Sequence, residues 1–173
     1  MVDAPNYSAT EAMRDGRRLD IRAFRPGDRD ALLSAVGRAS TQSLYRRFFT
    51  VKRSFSEREQ EFFLNVDFVS HVALMAWVEE SGQEVIVGGA RYVVVEPGKA
   101  EVAFVVIDAY QGQGIGAVLL RHLEVIARAA GLQELVAEVL AANKPMLKVF
   151  ERSGLPMTAA GDSEFVHVAM RLT

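Results

Sequence analysis

Val102-Ala103-Phe104-Val105-Val106-Ile107-Asp108-Ala109-Tyr110-Gln111-Gly112-Gln113-Gly114-Ile115-Gly116 is the stretch on which the reading of this chain turns. An apolar strand over 100–107 runs into a glycine-rich loop at 108–113, and the loop opens a long helix over 114–130. The strand is apolar on both faces, as a central strand covered by helices must be. Val118, Leu119, Leu123, Val125 and Ile126 recur at helical core spacing, and Gly131 stands just past the end. In such a turn several backbone amides converge on one space, and the helix N-terminus adds partial positive charge there. Gly112, Gly114 and Gly116 carry no side chain, so an anion of the size of a pyrophosphate can approach the main chain closely.

Outward from this stretch the pattern is that of one mixed α/β domain. Leu19 to Phe24 alternates apolar and polar, which predicts a first strand. Ala31, Leu32, Ala35, Val36 and Ala39 predict a helix over 28–39. A short helix is expected over 41–49, with Leu44, Tyr45, Phe48 and Phe49 on its apolar side. Ser56 and Glu59 form a capping box for a further helix carrying Phe62, Phe63 and Val66. Strands are expected at 71–79 and 85–95, with Gly88-Gly89 as a weak or bulged point in the second. Short turns make these two and the strand at 100–107 a meander. The helix over 114–130 then makes a right-handed crossover to a parallel strand at 135–140. Asn143 caps another helix, with Pro145 in its first turn, and a strand at 165–172 closes the chain. The expected fold class is α/β (α+β), a single mixed, mostly antiparallel sheet with helices on both faces. Residues 1–18, with Pro5, Asn6, Ser8, Gly16 and several charges, are expected as a mobile N-terminal tail, and residues 19–173 as the domain.

Composition excludes several classes. The 173 residues are 50% hydrophobic and 24% charged, with a net charge of −2. No apolar run approaches the roughly 20 residues that cross a bilayer, so no membrane span is expected. The N-terminus has no apolar core of a secretory signal. The charge balance argues against a nucleic-acid partner, and the basic cluster at Arg46, Arg47, Lys52 and Arg53 reads as a solvated helix face and its exit loop. The absence of cysteine removes disulfides, thiolate metal sites and a cysteine nucleophile, and fits a reducing cytoplasm. His71, His122 and His167 have no metal-ligand spacing, and no Gly-x-Ser-x-Gly elbow occurs, so neither a metal nor a serine nucleophile is expected.

The glycine letters admit other readings. Gly112, Gly114 and Ala117 also fit a dinucleotide fingerprint, but Asp108 to Gln111 intervene after the strand, and the strands before it form a meander rather than a βαβ unit. No lysine follows as in a P-loop. A glycine cap without any ligand is the plain structural alternative.

Gln111-x-x-Gly114-x-Gly116 resembles the Gln/Arg-x-x-Gly-x-Gly/Ala signature of the GNAT acetyltransferase superfamily. The preceding strand, the long helix and the later Asn143-x-x-Met146…Phe150-x-x-x-Gly154-Leu155 segment stand at that family's spacing, so the resemblance spans essentially Leu19 to Leu172. Ser43 to Phe49, His71 to Leu74 and Ala100 to Val106 are further similar to the acetyltransferase domain of bacterial Pat-type protein lysine acetyltransferases.

The resemblance implies an enzyme moving the acetyl group of acetyl-CoA to a lysine of a protein, for example an acyl-CoA synthetase. Gln111, Gly112, Gln113, Gly114, Ile115 and Gly116 would hold the pyrophosphate. Phe104, Val105 and Val106 would act through backbone groups left free where their strand splays from its parallel neighbour. Asn143, Met146 and Phe150 would lie along the pantetheine arm and the CoA wall, although Asn143 reads equally as a helix cap. Tyr45, Phe48 and Phe49 would shape the acceptor groove or simply pack in the core.

An amine nucleophile is mostly protonated near neutral pH, so the reaction needs a base. Glu101 opens the central strand among apolar residues, and burial there is expected to raise its pKa; the Pat-like domains carry a catalytic glutamate at the matching position. Phe150 departs from the many family members with a tyrosine there. It cannot protonate the leaving thiolate, which either leaves unaided or takes a proton from water. Tyr110 reads as a loop anchor. The same fold would also suit a small-amine acetyltransferase or a non-catalytic acyl-CoA sensor.

Overall fold

The computed structural model describes residues 2–38 and 65–173. The helices expected at 41–49 and after Ser56, with Tyr45, Phe48, Phe49 and the basic cluster, lie outside the described residues. The elements in chain order are β1 (Ser8–Ala12), β2 (Arg18–Ala23), α1 (Arg29–Arg38), β3 (His71–Glu80), β4 (Gln83–Glu96), β5 (Lys99–Val106), α2 (Ile115–Ala129), β6 (Glu134–Leu140), α3 (Lys144–Glu151), β7 (Met157–Gly161) and β8 (Phe165–Arg171).

The strands form one sheet in the order β1-β2-β3-β4-β5-β6-β8-β7. Every neighbouring pair is antiparallel except β5 and β6, which are parallel because α2 carries the chain across between them. The sheet is therefore mixed and mostly antiparallel, as the element order predicts. Leu119 and Leu123 of α2 are fully buried against the sheet, and Val72, Leu74, Tyr92, Leu135 and Met170 fill the same core. The weak point expected in β4 is a register shift: Ala76 pairs with Gly88 but Trp77 pairs with Ile86, so Val87 is the extra residue of a bulge. The bulged Val87 turns its carbonyl to the amide of Ile107, at 2.9 Å, and so fixes the end of β5.

Two strands depart from the sequence expectation. The segment expected as a tail contains β1, which pairs with β2 from Ser8↔Arg22 to Ala12↔Arg18. Its inward positions are Tyr7, Ala9, Glu11 and Met13, and the polar Glu11 in this row hides the alternation. Glu11 faces inward because His122 on α2 meets it at 2.6 Å, while Tyr7 contacts the other ring nitrogen of His122 at 2.5 Å. The second strand is β7, which pairs with β8 at the far edge of the sheet. Its residues are half-buried or exposed throughout, so no period of hydrophobicity announces it.

The entry to β3 is held by one carboxylate. Asp67 accepts from the amides of Val69, Ser70 and His71 at 2.9, 2.9 and 2.8 Å, and from the Ser70 hydroxyl at 2.8 Å. This turn keeps Phe68 at φ 56, a left-handed conformation that a side chain disfavours. The amide of Val69 above all, and then those of His71 and Ser70, hold the Asp67 carboxyl well below the usual carboxylate range. A lowered folded-state pKa means that its stabilisation is present above the unfolded value of about 3.9 and is lost as pH falls through the folded value. Urea unfolding followed from pH 7 to pH 2 should therefore show Asp67→Ala less stable than the unmutated chain by about 1 kcal/mol at pH 7. The difference should shrink as the pH falls below 3.9.

Candidate active site

β5 and β6 are paired only from Lys99↔Glu134 to Glu101↔Val136. Beyond Glu101 they diverge, while β5 stays paired to β4 as far as Val106↔Gly88. From Val102 onward the polar backbone groups of β5 that face away from β4 lack a strand partner. The carbonyl of Val106 takes the side-chain amide of Gln111 at 3.2 Å, which folds the glycine loop back onto the strand end. This is the splay that the resemblance implies.

The loop meets α2 at a left-handed turn. Gly112 and Gly114 stand at φ 81 and 85, and Gly114 is the residue from which the helix starts. The first amide to find an acceptor in the helix is that of Val118, bonded to Gly114 at 3.1 Å. The amides of Ile115, Gly116 and Ala117 therefore have no intrahelical acceptor and sit at the positive end of a 15-residue helix.

These groups border a cleft of about 600 Å³. Phe104, Val105, Val106, Gln111, Gly112, Gly114, Ile115, Gly116, Asn143 and Met146 line it. Gln113 does not. Its carbonyl and its side-chain oxygen accept from the amides of Arg14 and Asp15, each at 3.2 Å, so it points to the β1–β2 turn instead of the cleft. Phe150 is also absent from this lining. It is 1% exposed and meets Phe104 edge-to-face at 5.9 Å, forming the inner wall.

A smaller cavity lies where β5 and β6 part. Glu101, Phe104, Ala137, Glu138, Asn143, Met146 and Phe150 are among its lining residues. Phe104, Asn143 and Met146 border both cavities, so one wall leads from the glycine loop to Glu101. Asn143 does both things read from the sequence: it lines the cleft, and its side-chain oxygen accepts from the amide of Met146 at 3.4 Å as the cap of α3. Glu101 is exposed, not buried as its apolar neighbours suggest, because its side chain projects from the sheet face, which pairing with Val93 and Val136 does not cover. Across the gap Glu138 carries His167 at 2.9 Å.

Tyr110 is the anchor expected of it. Its ring is buried and its hydroxyl donates to Glu80 at 2.5 Å, and Glu80 is also held by both terminal nitrogens of Arg38 at 3.1 and 3.0 Å. Burial first, and the Glu80 carboxylate next, push the Tyr110 hydroxyl above its ordinary value, so it stays a donor. Arg14, Lys148 and Arg152 also line the cleft and were missed in the sequence reading. Lys148 on α3 and Arg152 at its C-terminal cap are one turn apart, a spacing that could have shown them. Arg14 stood in the presumed tail, where only Asp15-Gly16 hints at a hairpin turn.

The donor set suits a phosphate-bearing ligand: unpaired amides, side-chain-free glycines and cationic walls meet in one groove. The profile of the acetyltransferase (GNAT) family matches residues 38–155, and the chain belongs to this family. It is similar to an acetyltransferase of Pseudomonas aeruginosa, with 34% identity over 79% of this chain and 74% of that one. It is similar to the acetyltransferase Pat of Mycolicibacterium smegmatis, with 35% identity over 82% of this chain but 42% of that protein's length. The GNAT domain of the S. lividans PAT superposes with a TM-score of 0.85 at 32% identity, covering 95% of this chain and 96% of that domain.

The two outer glycines of Gly114-Ile115-Gly116 should differ under substitution. At Gly114 a Cβ meets the left-handed φ of 85, and Gly114→Ala should lose about 1 kcal/mol in urea unfolding. At Gly116 a Cβ would make ordinary contact with Val149 at 3.6 Å, and Gly116→Ala should be neutral or stabilising by up to about 1 kcal/mol.

Proposed function

We propose that the cleft binds acetyl-CoA and that the protein transfers its acetyl group to the side-chain amine of a protein lysine. The observation that carries this reading is the shared wall of Phe104, Asn143 and Met146, which joins a phosphate-accepting loop to a carboxylate across a break in the sheet. The resemblance of Ser43 to Phe49, His71 to Leu74 and Ala100 to Val106 to Pat-type protein lysine acetyltransferases supports the lysine acceptor.

Acetyl-CoA supplies the acyl group as a thioester, and the acceptor amine takes it with release of the thiol. The amides of Ile115, Gly116 and Ala117 hold the pyrophosphate end. The β5 backbone beyond Glu101 offers its unpaired groups to the pantetheine arm, and the fixed dipoles of its amides stabilise charge developing on the thioester oxygen. Phe104 and Phe150 exclude water along the wall.

Glu101 accepts the proton that the amine must lose, directly or through a water. Its exposure has a physical role here. The carboxylate stands within reach of a lysine on a docked protein surface. Glu138, on the opposite lip, adds a second negative charge that draws a cationic lysine toward the gap.

The test is Glu101→Gln. Thiol release from acetyl-CoA in the presence of a lysine-bearing protein should fall at least about 100-fold, while acetyl-CoA affinity by calorimetry stays within about twofold. Turnover that survives the substitution removes Glu101 as the base. Release driven by a free small amine, with none for any protein, removes the lysine assignment.

A further inference from the structure

Arg14 lies on the turn between β1 and β2, outside the residues that the family profile matches. This turn is docked on the glycine loop. The amide of Arg14 donates to the Gln113 carbonyl at 3.2 Å, and the amide of Asp15 to the Gln113 side chain at 3.2 Å. Nη1 of Arg14 donates to the Gly112 carbonyl at 3.2 Å. Arg17 pairs with Asp15 at 2.8 Å and places its guanidinium 5.2 Å from the centre of the Tyr110 ring. Main-chain, side-chain and cation–π contacts thus fix the position of the turn relative to the loop.

The consequence is where the Arg14 guanidinium ends up. It lines the cleft beside Gly112 and Gly114, with Nε 3.6 Å from where a Gly114 Cβ would stand. A guanidinium carries five N–H groups in a planar fork and accepts nothing. The bond to Gly112 uses one of them. The neighbouring amides of α2 are donors too, so both sides of this corner call for acceptors. A ligand with several acceptor oxygens and negative charge answers both at once.

We propose that Arg14 is a phosphate-binding residue of the acyl-CoA site, contributed by the N-terminal hairpin, and that its partner is the pyrophosphate. This rests on the reading of the cleft as an acetyl-CoA site. The pyrophosphate is favoured over the 3′-phosphate because Arg14 is tied to the same residues whose loop leads into the unpaired amides. Lys148 and Arg152 stand on the α3 wall of the cleft. Arg14 has two separable effects, bracing Gly112 and supplying charge, and the two respond differently to salt and to lysine replacement.

The test is isothermal titration of the full chain with CoA and with 3′-dephospho-CoA, at low and high ionic strength, for the unmutated protein, Arg14→Met and Arg14→Lys. Arg14→Met should raise the Kd for both ligands by about tenfold at low salt. Its affinity should depend less steeply on salt than that of the unmutated chain. Arg14→Lys should recover part of the loss, since it restores the charge without the fork. An unmutated chain that binds CoA with no change in Arg14→Met would overturn the proposal. So would a loss in Arg14→Met that leaves the salt dependence intact, which reduces Arg14 to a brace of the loop. A loss seen with CoA but not with 3′-dephospho-CoA would move Arg14 to the 3′-phosphate and overturn the pyrophosphate assignment. An unmutated chain that binds neither ligand would overturn the acetyl-CoA reading itself.

Discussion

Two parallel strands that part after three paired positions govern this molecule. A central strand normally satisfies its backbone on both sides, and leaving a run of amides and carbonyls without strand partners is tolerated only where something else can meet them. Here β5 keeps β4 on one side, held by the carbonyl of the bulged Val87, and loses β6 on the other. The gap begins just past Glu101, lets the Phe104 and Phe150 rings form an inner wall, and aims the strand at the glycine loop. A continuous β5–β6 ladder would close the smaller cavity.

The positive end of α2 can serve an anion only if the loop before it keeps its shape. That shape depends on contacts made from outside the segment. Gln111 folds back to Val106, Tyr110 is anchored through Glu80 to Arg38 of α1, and the β1–β2 turn grips Gln113 and Gly112. The loop is therefore shared among three parts of the chain that are far apart in sequence, and the donors it presents are fixed before any ligand arrives. Such preorganisation spares a bound ligand the ordering of the loop.

Much of the architecture was legible because its signals are local. Residues 115–129 form the longest helix among the described residues, with apolar residues at every turn, and the turn at Glu96-Pro97-Gly98-Lys99 makes β4 and β5 neighbours. The parallel pairing of β5 and β6 followed from the handedness of the crossover. β1 and β7 were missed for opposite reasons. In β1 the inward row includes Glu11, an apparent break in the pattern that is satisfied by Arg121 and His122 across the fold. In β7 nothing is buried, and the strand exists because β8 offers it an edge.

The site divides along the same line. The spacing Gln111-x-x-Gly114-x-Gly116, the cap at Asn143 and the glutamate opening β5 are properties of contiguous residues, and the sequence by itself determined them. Whether Glu101 is buried, which way Gln113 points, and whether Arg14 belongs to the site were decided only by the tertiary structure. The exposure of Glu101 depends on what covers its face of the sheet, and the orientation of Gln113 on a hairpin about 100 residues earlier. No local pattern encodes either, because each is a matter of which surfaces meet once the core has closed.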